Sequence, residues 1–283
     1  MDDLQRVLED RFGRNVPVSP ATASRISAES LAILSSLAKH RSHRVFTNEP
    51  VPLDLLELLT AVALSSPSKS DLQQRDIIVI QSEAQLAAIK ELISDQAWTG
   101  DIHTLLVFCG NNRRQRQLHE WRGHTFVNDH LDAFFNPAVD AGIALQAFVA
   151  AAEAVGLGCC PISGIRNRIF EVADLLSLPD YTYPVAGLAV GWPASQGALS
   201  ARLSLDATVH TDRFRDNDIE AQVDTYDRRR IECQRFPTQR NCDRFGEVHP
   251  NAYFWSEDKA RQYAEPERQD FAAFVRHKKF QLR

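Results

Sequence analysis

The stretch from Phe135 to Val155 is apolar on nearly every face of a helix and is rich in alanine. Alanine is the strongest helix former, so this composition predicts one long helix. A helix that is apolar all round has to be buried, either inside a core or at an interface between subunits. Gly156-Leu157-Gly158 follows, as is typical of a helix end. The rest of the chain must pack around this helix, and we expect an intertwined homodimer.

Helical patterns alternate along the chain with a few short apolar runs. The predicted strands are residues 77–80, residues 104–109, a short run from Cys159 and a run from Pro184, all apolar and in part β-branched. Helices are predicted near the N-terminus and at residues 27–38, 54–65, 82–93, 169–178, 218–230, 255–262 and 268–279. Four strands are too few to bury a large sheet alone. The polar residues 110–133 are interpreted as a surface excursion.

Composition and charge argue against several classes of protein. The chain has 283 residues and a net charge of −5, which disfavours a protein that holds nucleic acid through its overall field. The five cysteines are odd in number and irregular in spacing, so no disulfide framework is expected. Cys233, Cys242 and His249 fit no standard zinc spacing, and no metal site is expected. Without a signal-peptide pattern or an apolar run of membrane-spanning length, a cytoplasmic protein is expected.

Two arginines, two histidines and a serine occur together in His40-Arg41-Ser42-His43-Arg44. The run follows a predicted helix and precedes the turn Glu49-Pro50-Val51-Pro52. Arginine supplies fixed planar donors and serine a short one, so the run can bind an anion. Taken alone, a charge cluster at this place is more often a solvated helix end. Only the rest of the chain separates these two interpretations.

Four separated stretches, in order and at preserved spacing, resemble the flavin-dependent nitroreductases. They are residues 40–46, the serine-rich turn at 65–70 with Leu72-Gln73, residues 156–167, and Gly191-Trp192-Pro193 with Arg202. Within that family the chain is most similar to the NADPH-preferring group, which includes the oxygen-insensitive nitroreductase and the NADPH–flavin oxidoreductases. The resemblance implies an α+β fold, with a central, mostly antiparallel sheet flanked by helices. It also implies an intertwined homodimer with two FMN sites at the interface.

The resemblance divides the chain into three parts. Residues 1–30 are an N-terminal extension, residues 31–205 are the FMN-binding core, and residues 206–283 are a C-terminal excursion with helices that wrap the dimer. The extension and residues 110–133 lie outside the similarity, and the residues themselves suggest no chemistry for either.

The phosphate end of FMN would be held by the basic cluster. The resemblance matches His40, Arg41, Ser42 and Arg44 to positions that hold the phosphate, the ribityl chain and the ring edge, and Arg202 to a phosphate-binding arginine. The chemistry agrees, because a phosphate dianion pairs with guanidinium groups and accepts a hydrogen bond from a hydroxyl.

Other parts of FMN would meet other turns. By the resemblance, Ser68 and Ser70 contact FMN from the partner chain, and Gln96 bonds the ribityl chain or the ring. The segment of Ile162, Ser163 and Gly164 would lie beside the isoalloxazine, with backbone N–H groups aimed at the ring.

NADPH and the electron acceptor would use further residues. The resemblance implies that Arg229, within Arg228-Arg229-Arg230, recognises the 2′-phosphate of NADPH, although a charge run of this kind is also typical of a solvated surface. Asp71 and Arg268 would line the substrate pocket. Asp71 stands where close relatives have an aromatic residue, Ser163 replaces a usual glycine, and Ser200 replaces a lysine.

The implied function is that of an FMN-dependent NADPH oxidoreductase working by a ping-pong mechanism. Hydride would pass from NADPH to flavin N5 and then to a nitroaromatic, quinone or flavin acceptor, so no side chain is assigned as catalytic. Three alternatives remain open: another flavin chemistry on the same fold, such as dehalogenation or dehydrogenation; a non-catalytic protein that binds or senses FMN; and a basic-patch interaction module.

Overall fold

The computed structural model describes residues 1–94 and 97–283. By compactness the chain forms two units, each built from two separate segments. Residues 1–41 and 198–267 form unit 1, and residues 42–197 and 268–283 form unit 2. The predicted division into an extension, a core and a C-terminal excursion stays a prediction.

Unit 2 is built on an antiparallel sheet, four-stranded within the described residues, in the order β1-β2-β4-β3. The strands are β1 (Arg75–Ile80), β2 (Thr104–Asn111), β3 (Gly158–Ile162) and β4 (Thr182–Gly191). β2 pairs with β1 on one side and with β4 on the other, so that Val107 is opposite Ile78 in β1 and Gly187 in β4. Each predicted strand is present, and the predicted α+β fold with an antiparallel sheet is confirmed.

The predicted apolar helix is α7 (Asp132–Ala154), which packs against all four strands. Its inner face is fully buried, for example at Ala144 and Phe148. By length and composition α7 is also apolar enough to cross a membrane, as core helices often are. Phe135 and Val139 remain exposed within one chain, so the expectation that α7 is also buried at a subunit interface stays a prediction.

The other helices of unit 2 flank this sheet. In chain order they are α4 (Leu53–Leu64), α5 (Glu83–Leu92), α6 (Arg113–Arg122), α8 (Ile169–Leu175) and α13 (Phe271–His277). The N-cap of α5 is Ser82, whose hydroxyl accepts a hydrogen bond from the backbone N–H of Gln85. α6 lies in the stretch interpreted from sequence as a surface excursion, and of its residues only Gln115 is buried.

Unit 1 is helical. Its helices are α1 (Asp2–Phe12), α2 (Pro20–Ala23), α3 (Ala28–Ala38), α9 (Leu205–Thr208), α10 (Ile219–Cys233), α11 (Cys242–Phe245) and α12 (Trp255–Tyr263). α1 packs on α3, and α10 packs on α12. The buried carboxylate of Asp227 in α10 accepts hydrogen bonds from the backbone and the hydroxyl of Ser256, which fixes the first turn of α12.

Candidate functional site

The second half of the basic cluster is attached to the edge of the sheet in unit 2. Ser42 forms a parallel bridge with Cys159 of β3, and the backbone N–H of His43 donates to the carbonyl of Cys159 at 2.9 Å. This close approach depends on Gly158, where a Cβ atom would lie 2.7 Å from the His43 ring. Glycine is therefore required at this point by space and not by backbone conformation.

Arg44 lies over the strand that leads to the predicted flavin turn. Its guanidinium carbon is 5.9 Å from the centre of the Trp98 ring, within cation–π range. Burial raises the pKa of the Cys160 thiol in β3, and the positive charge of Arg44 opposes that rise. The side chain of Arg44 is itself exposed. A guanidinium is thus held beside β3 and remains open to solvent.

The segment Ile162-Ser163-Gly164 ends β3 and enters the 3₁₀ turn Ser163–Arg166. The guanidinium of Arg268 donates to Ser163 Oγ at 3.3 Å and to Asn167 Oδ1 at 2.9 Å. Burial lowers the pKa of the neighbouring Arg166, and the charge of Arg268 lowers it further. Two predicted site residues that are distant in sequence, Ser163 and Arg268, are therefore in contact at a positively charged turn.

The serine-rich turn is held in shape by a buried carboxylate that sequence reasoning missed. Asp140 of α7 is fully buried and accepts hydrogen bonds from Ser68 Oγ at 3.0 Å, from the Lys69 N–H at 3.0 Å and from the Gln74 N–H at 3.1 Å. Arg75, also buried, lies 3.8 Å from the same carboxylate. The available sequence signal was a charged residue inside an otherwise apolar helix.

Backbone strain is concentrated in the same turn. Ser70, Asp71 and Gln73 have φ angles of 50°, 55° and 52°, which are unusual for residues with a side chain. Such conformations cost about 1–3 kcal/mol each and persist where surrounding contacts fix them. Here the hydroxyl of Ser68 accepts a hydrogen bond from the Gln73 N–H at 2.7 Å and closes the turn. The turn presents Ser70 and Asp71 on its exposed side.

The remaining phosphate residues lie in unit 1. The guanidinium of the buried Arg11 donates to the carbonyl of His40 and, at 2.9 Å, to the carbonyl of Ser200. This shared donor places the backbone at His40-Arg41 next to the backbone that leads to Arg202. Sequence alone assigned no role to Arg11, because its partners are carbonyl groups that meet only in the folded chain.

Arg202 is exposed at the rim of a cavity of about 440 Å³ in unit 1. Phe12, Tyr226 and Trp255 supply an aromatic lining to this cavity. Burial raises the pKa of Tyr226, and the positive charges of Arg230, Arg202 and Arg229 oppose that rise. A cation beside flat aromatic rings suits a ligand that carries both an anionic group and a ring system.

Arg229, predicted to bind NADPH, has other partners in unit 1. Its guanidinium donates to the carbonyls of Asp10 at 3.1 Å, of Arg11 at 3.0 Å and of Arg202. The preceding Arg228 is exposed, and its contact with Asp224 is a long one of 3.8 Å. The predicted role of Arg229 stays a prediction, and so do those of the other site residues. Gln96 lies outside the described residues.

The chain belongs to the nitroreductase family. The model of that family matches residues 37–192, and the model of its C-terminal domain matches residues 200–283. An FMN reductase [NAD(P)H] of Bacillus subtilis is 34% identical over 200 residues, covering 69% of this chain and 80% of the relative. An oxygen-insensitive NADPH nitroreductase of Salmonella typhimurium is 35% identical over 178 residues, covering 63% and 72%. The structure of NfrA2 from B. megaterium has a TM-score of 0.78 at 31% identity, covering 89% of this chain and 98% of NfrA2.

The donor groups present fit the phosphate of FMN. Guanidinium and hydroxyl groups are the donors that a phosphate dianion prefers. Unit 1 supplies guanidinium groups at Arg41 and Arg202, and unit 2 supplies a hydroxyl at Ser42 and a guanidinium at Arg44. Arg44 and Arg202 are exposed and therefore accessible to a ligand, while the backbones that carry His40 and Arg202 are fixed by Arg11.

Replacing Asp140 by alanine should lower the free energy of unfolding by about 3–5 kcal/mol, because the change leaves Arg75 buried without its ion-pair partner. Denaturant unfolding followed by circular dichroism measures this loss. Asp174→Ala removes an exposed carboxylate from α8 and should change stability by less than about 0.5 kcal/mol. A similarly small effect for Asp140→Ala would contradict its anchoring role.

Proposed function

We propose that this protein is an FMN-dependent oxidoreductase that takes reducing equivalents from NADPH. The observation that carries the proposal is the contact of Arg11 with the carbonyls of His40 and Ser200, which brings the predicted phosphate residues His40, Arg41 and Arg202 into one neighbourhood of unit 1. The relatives with the names FMN reductase and NADPH nitroreductase support the same assignment.

FMN, when bound, supplies the redox chemistry by accepting a hydride from NADPH and giving it up to a second substrate. The protein's own residues bind and orient. Arg41, Arg44 and Arg202 neutralise the phosphate, and Ser42 donates a hydrogen bond to it. Ser68, Ser70 and Gln96 are proposed to contact the ribityl chain and the ring.

The turn of Ile162, Ser163 and Gly164 is proposed to face the flavin ring. Its backbone N–H groups are the proposed donors, and the hydroxyl of Ser163 accepts a hydrogen bond from Arg268. Positive charge at Arg166 and Arg268 favours an electron-rich or anionic molecule at this turn. Asp71 and Arg268 are proposed to line the approach of the acceptor, which is a nitroaromatic compound, a quinone or free flavin.

The proposal is tested by loading the purified protein with FMN, removing the excess and adding NADPH without oxygen. The visible absorbance band of the bound flavin should bleach rapidly and return when a quinone or a nitroaromatic compound is added. Retention of FMN without bleaching by NADPH or NADH would favour the alternative of a non-catalytic FMN-binding protein. Failure to retain FMN at all would remove the proposal.

Selection of NADPH over NADH is proposed to come from the Arg228-Arg229-Arg230 run. A charge-assisted hydrogen bond to the 2′-phosphate contributes about 1.5–3 kcal/mol, which corresponds to roughly tenfold to a hundredfold in affinity. Arg228 has 76% of its side chain exposed, whereas Arg229 is bonded to three carbonyl oxygens.

Arg228→Ala should raise KM for NADPH by about tenfold while leaving KM for NADH nearly unchanged. Steady-state kinetics with both nucleotides measures the ratio. Arg229→Ala reports on the register of the run: a selective rise for NADPH supports its predicted role, and equal changes for the two nucleotides refute it. Arg6→Ala, which removes an exposed arginine from α1, is the control.

A homodimer is proposed from the apolar faces that a single chain leaves open. Phe135, Val139 and Ile143 lie at successive helical spacings along α7 and are 57%, 41% and 36% exposed. On α4, which packs against α7, Leu58 and Val62 are 57% and 47% exposed. Exposed apolar faces of this kind mark association sites, and a second copy of this chain is the proposed occupant.

Val139→Glu should shift the protein from dimer toward monomer, because burying a carboxylate in an apolar interface is unfavourable. Sedimentation velocity over a range of concentrations measures the shift. Val209→Glu places the same charge on an exposed position of unit 1 and should leave the sedimentation unchanged. Monomeric wild-type protein at all concentrations would remove the homodimer proposal.

A further inference from the structure

Arg11, near the end of α1, is a charged residue with only 5% of its surface exposed. Its guanidinium donates to three backbone carbonyls: Nε to Ala38 at 2.6 Å, Nη1 to Ser200 at 2.9 Å, and Nη2 to His40. The match to the nitroreductase family begins only at residue 37, so α1 lies outside it. A helix outside the family match therefore supplies the donor that three carbonyls of the matched region share.

These three carbonyls belong to two segments that carry predicted phosphate residues. Ala38 ends α3, where helix carbonyls lack partners within the helix, and His40 follows at the start of the basic cluster. Ser200 stands two residues before Arg202. Because a guanidinium is planar and rigid, one arginine that bonds to both segments sets the distance between them.

Contacts in the opposite direction fix Arg202 itself. Its backbone N–H donates to the carbonyl of Arg11 at 2.7 Å, and its own carbonyl accepts a hydrogen bond from the guanidinium of Arg229. Arg229 also donates to the Arg11 carbonyl at 3.0 Å. Both backbone groups of Arg202 are thus bonded, which leaves its exposed side chain as the part that can meet a ligand.

The end of α1 is shaped for these contacts. Gly13 follows α1 with a φ of 74°, and a Cβ atom there would lie 2.7 Å from Nε of Arg229. Phe12, between Arg11 and Gly13, lines the cavity on whose rim Arg202 lies. Three consecutive residues at the end of α1 therefore lie close to the segment of Arg202 or to its partner Arg229: Arg11, Phe12 and Gly13.

We propose that Arg11 is a positioning residue for the FMN phosphate, through which α1 holds the backbones that present His40, Arg41 and Arg202. The inference rests on the proposed function. Arg11 itself does not meet the cofactor, since its donors are directed at carbonyl groups. Arg11 fixes the backbones of the phosphate-binding residues before the cofactor arrives. Without Arg11 these residues would become ordered only on binding, and the entropy lost in that ordering would weaken the affinity for FMN.

The test compares two ligands that differ only in the phosphate. FMN and riboflavin share the ring and the ribityl chain, so a defect limited to phosphate binding weakens FMN alone. Dissociation constants for both are measured by flavin fluorescence titration of the full chain, for the wild type, Arg11→Gln, Arg11→Lys and Arg14→Gln. Arg14 is a matched control, because it is an exposed arginine just beyond α1 that pairs with Asp206.

Arg11→Gln should raise the dissociation constant of FMN by about tenfold or more and change that of riboflavin by less than about threefold. Arg11→Lys keeps the charge but cannot span three carbonyls, so FMN binding should be intermediate. Arg14→Gln should bind both flavins as the wild type does. Thermal unfolding of each variant shows whether it is folded. If Arg11→Gln is not folded, the comparison is made with Arg11→Lys.

Three results would overturn the positioning role. The first is that the dissociation constants of both FMN and riboflavin stay unchanged in the Arg11 variants when the wild type binds FMN. The second is an equal loss of both ligands, which means that Arg11 supports only general stability. The third is a wild-type protein that binds neither flavin, and that result removes the proposed function as well.

Discussion

The buried carboxylate of Asp140 is the interaction on which the serine turn of unit 2 depends. A charge at full burial is tolerated only when it is paired and hydrogen-bonded, and Asp140 is both. It sits on α7, the helix that covers the sheet, so the turn takes its position from the core. The positive φ angles of Ser70 and Asp71 can persist because the turn is held at its base.

In unit 1, irregular backbone is held in place by a buried positive charge instead of a negative one. Carbonyl groups at the end of α3 and before Arg202 need donors, and Arg11 and Arg229 provide them. A lysine would offer a compact charge at one point, whereas the guanidinium spreads its donors over several carbonyls. Both units therefore place a buried or partly buried charge where irregular backbone must be held in a particular shape.

The elements were largely predictable from sequence, and the connections between them were not. The apolar pattern around Ala144 predicts α7, and the β-branched run at Ile77 predicts β1. Both predictions work because buried positions recur at the spacing of the helix or the strand. The basic cluster at His40 was ambiguous by itself and gained meaning from spacing to other stretches. The partners of Arg11 and Arg229 are main-chain atoms, which carry no residue-specific signal. The contact of Ser163 with Arg268 likewise joins positions a hundred residues apart.

The two units interleave along the chain, and this has a consequence for synthesis. The core of unit 2 includes Phe274 and Phe280 next to residues of β2 and β4. Unit 1 joins α1 to residues beyond 198. Because protein is made from the N-terminus at about 5–20 residues per second, each unit waits for segments that emerge late. Neither unit can be completed during most of translation. α1 can pack on α3 early, but the carbonyl of Ser200 and the guanidinium of Arg229, which complete the contacts of Arg11, are made late.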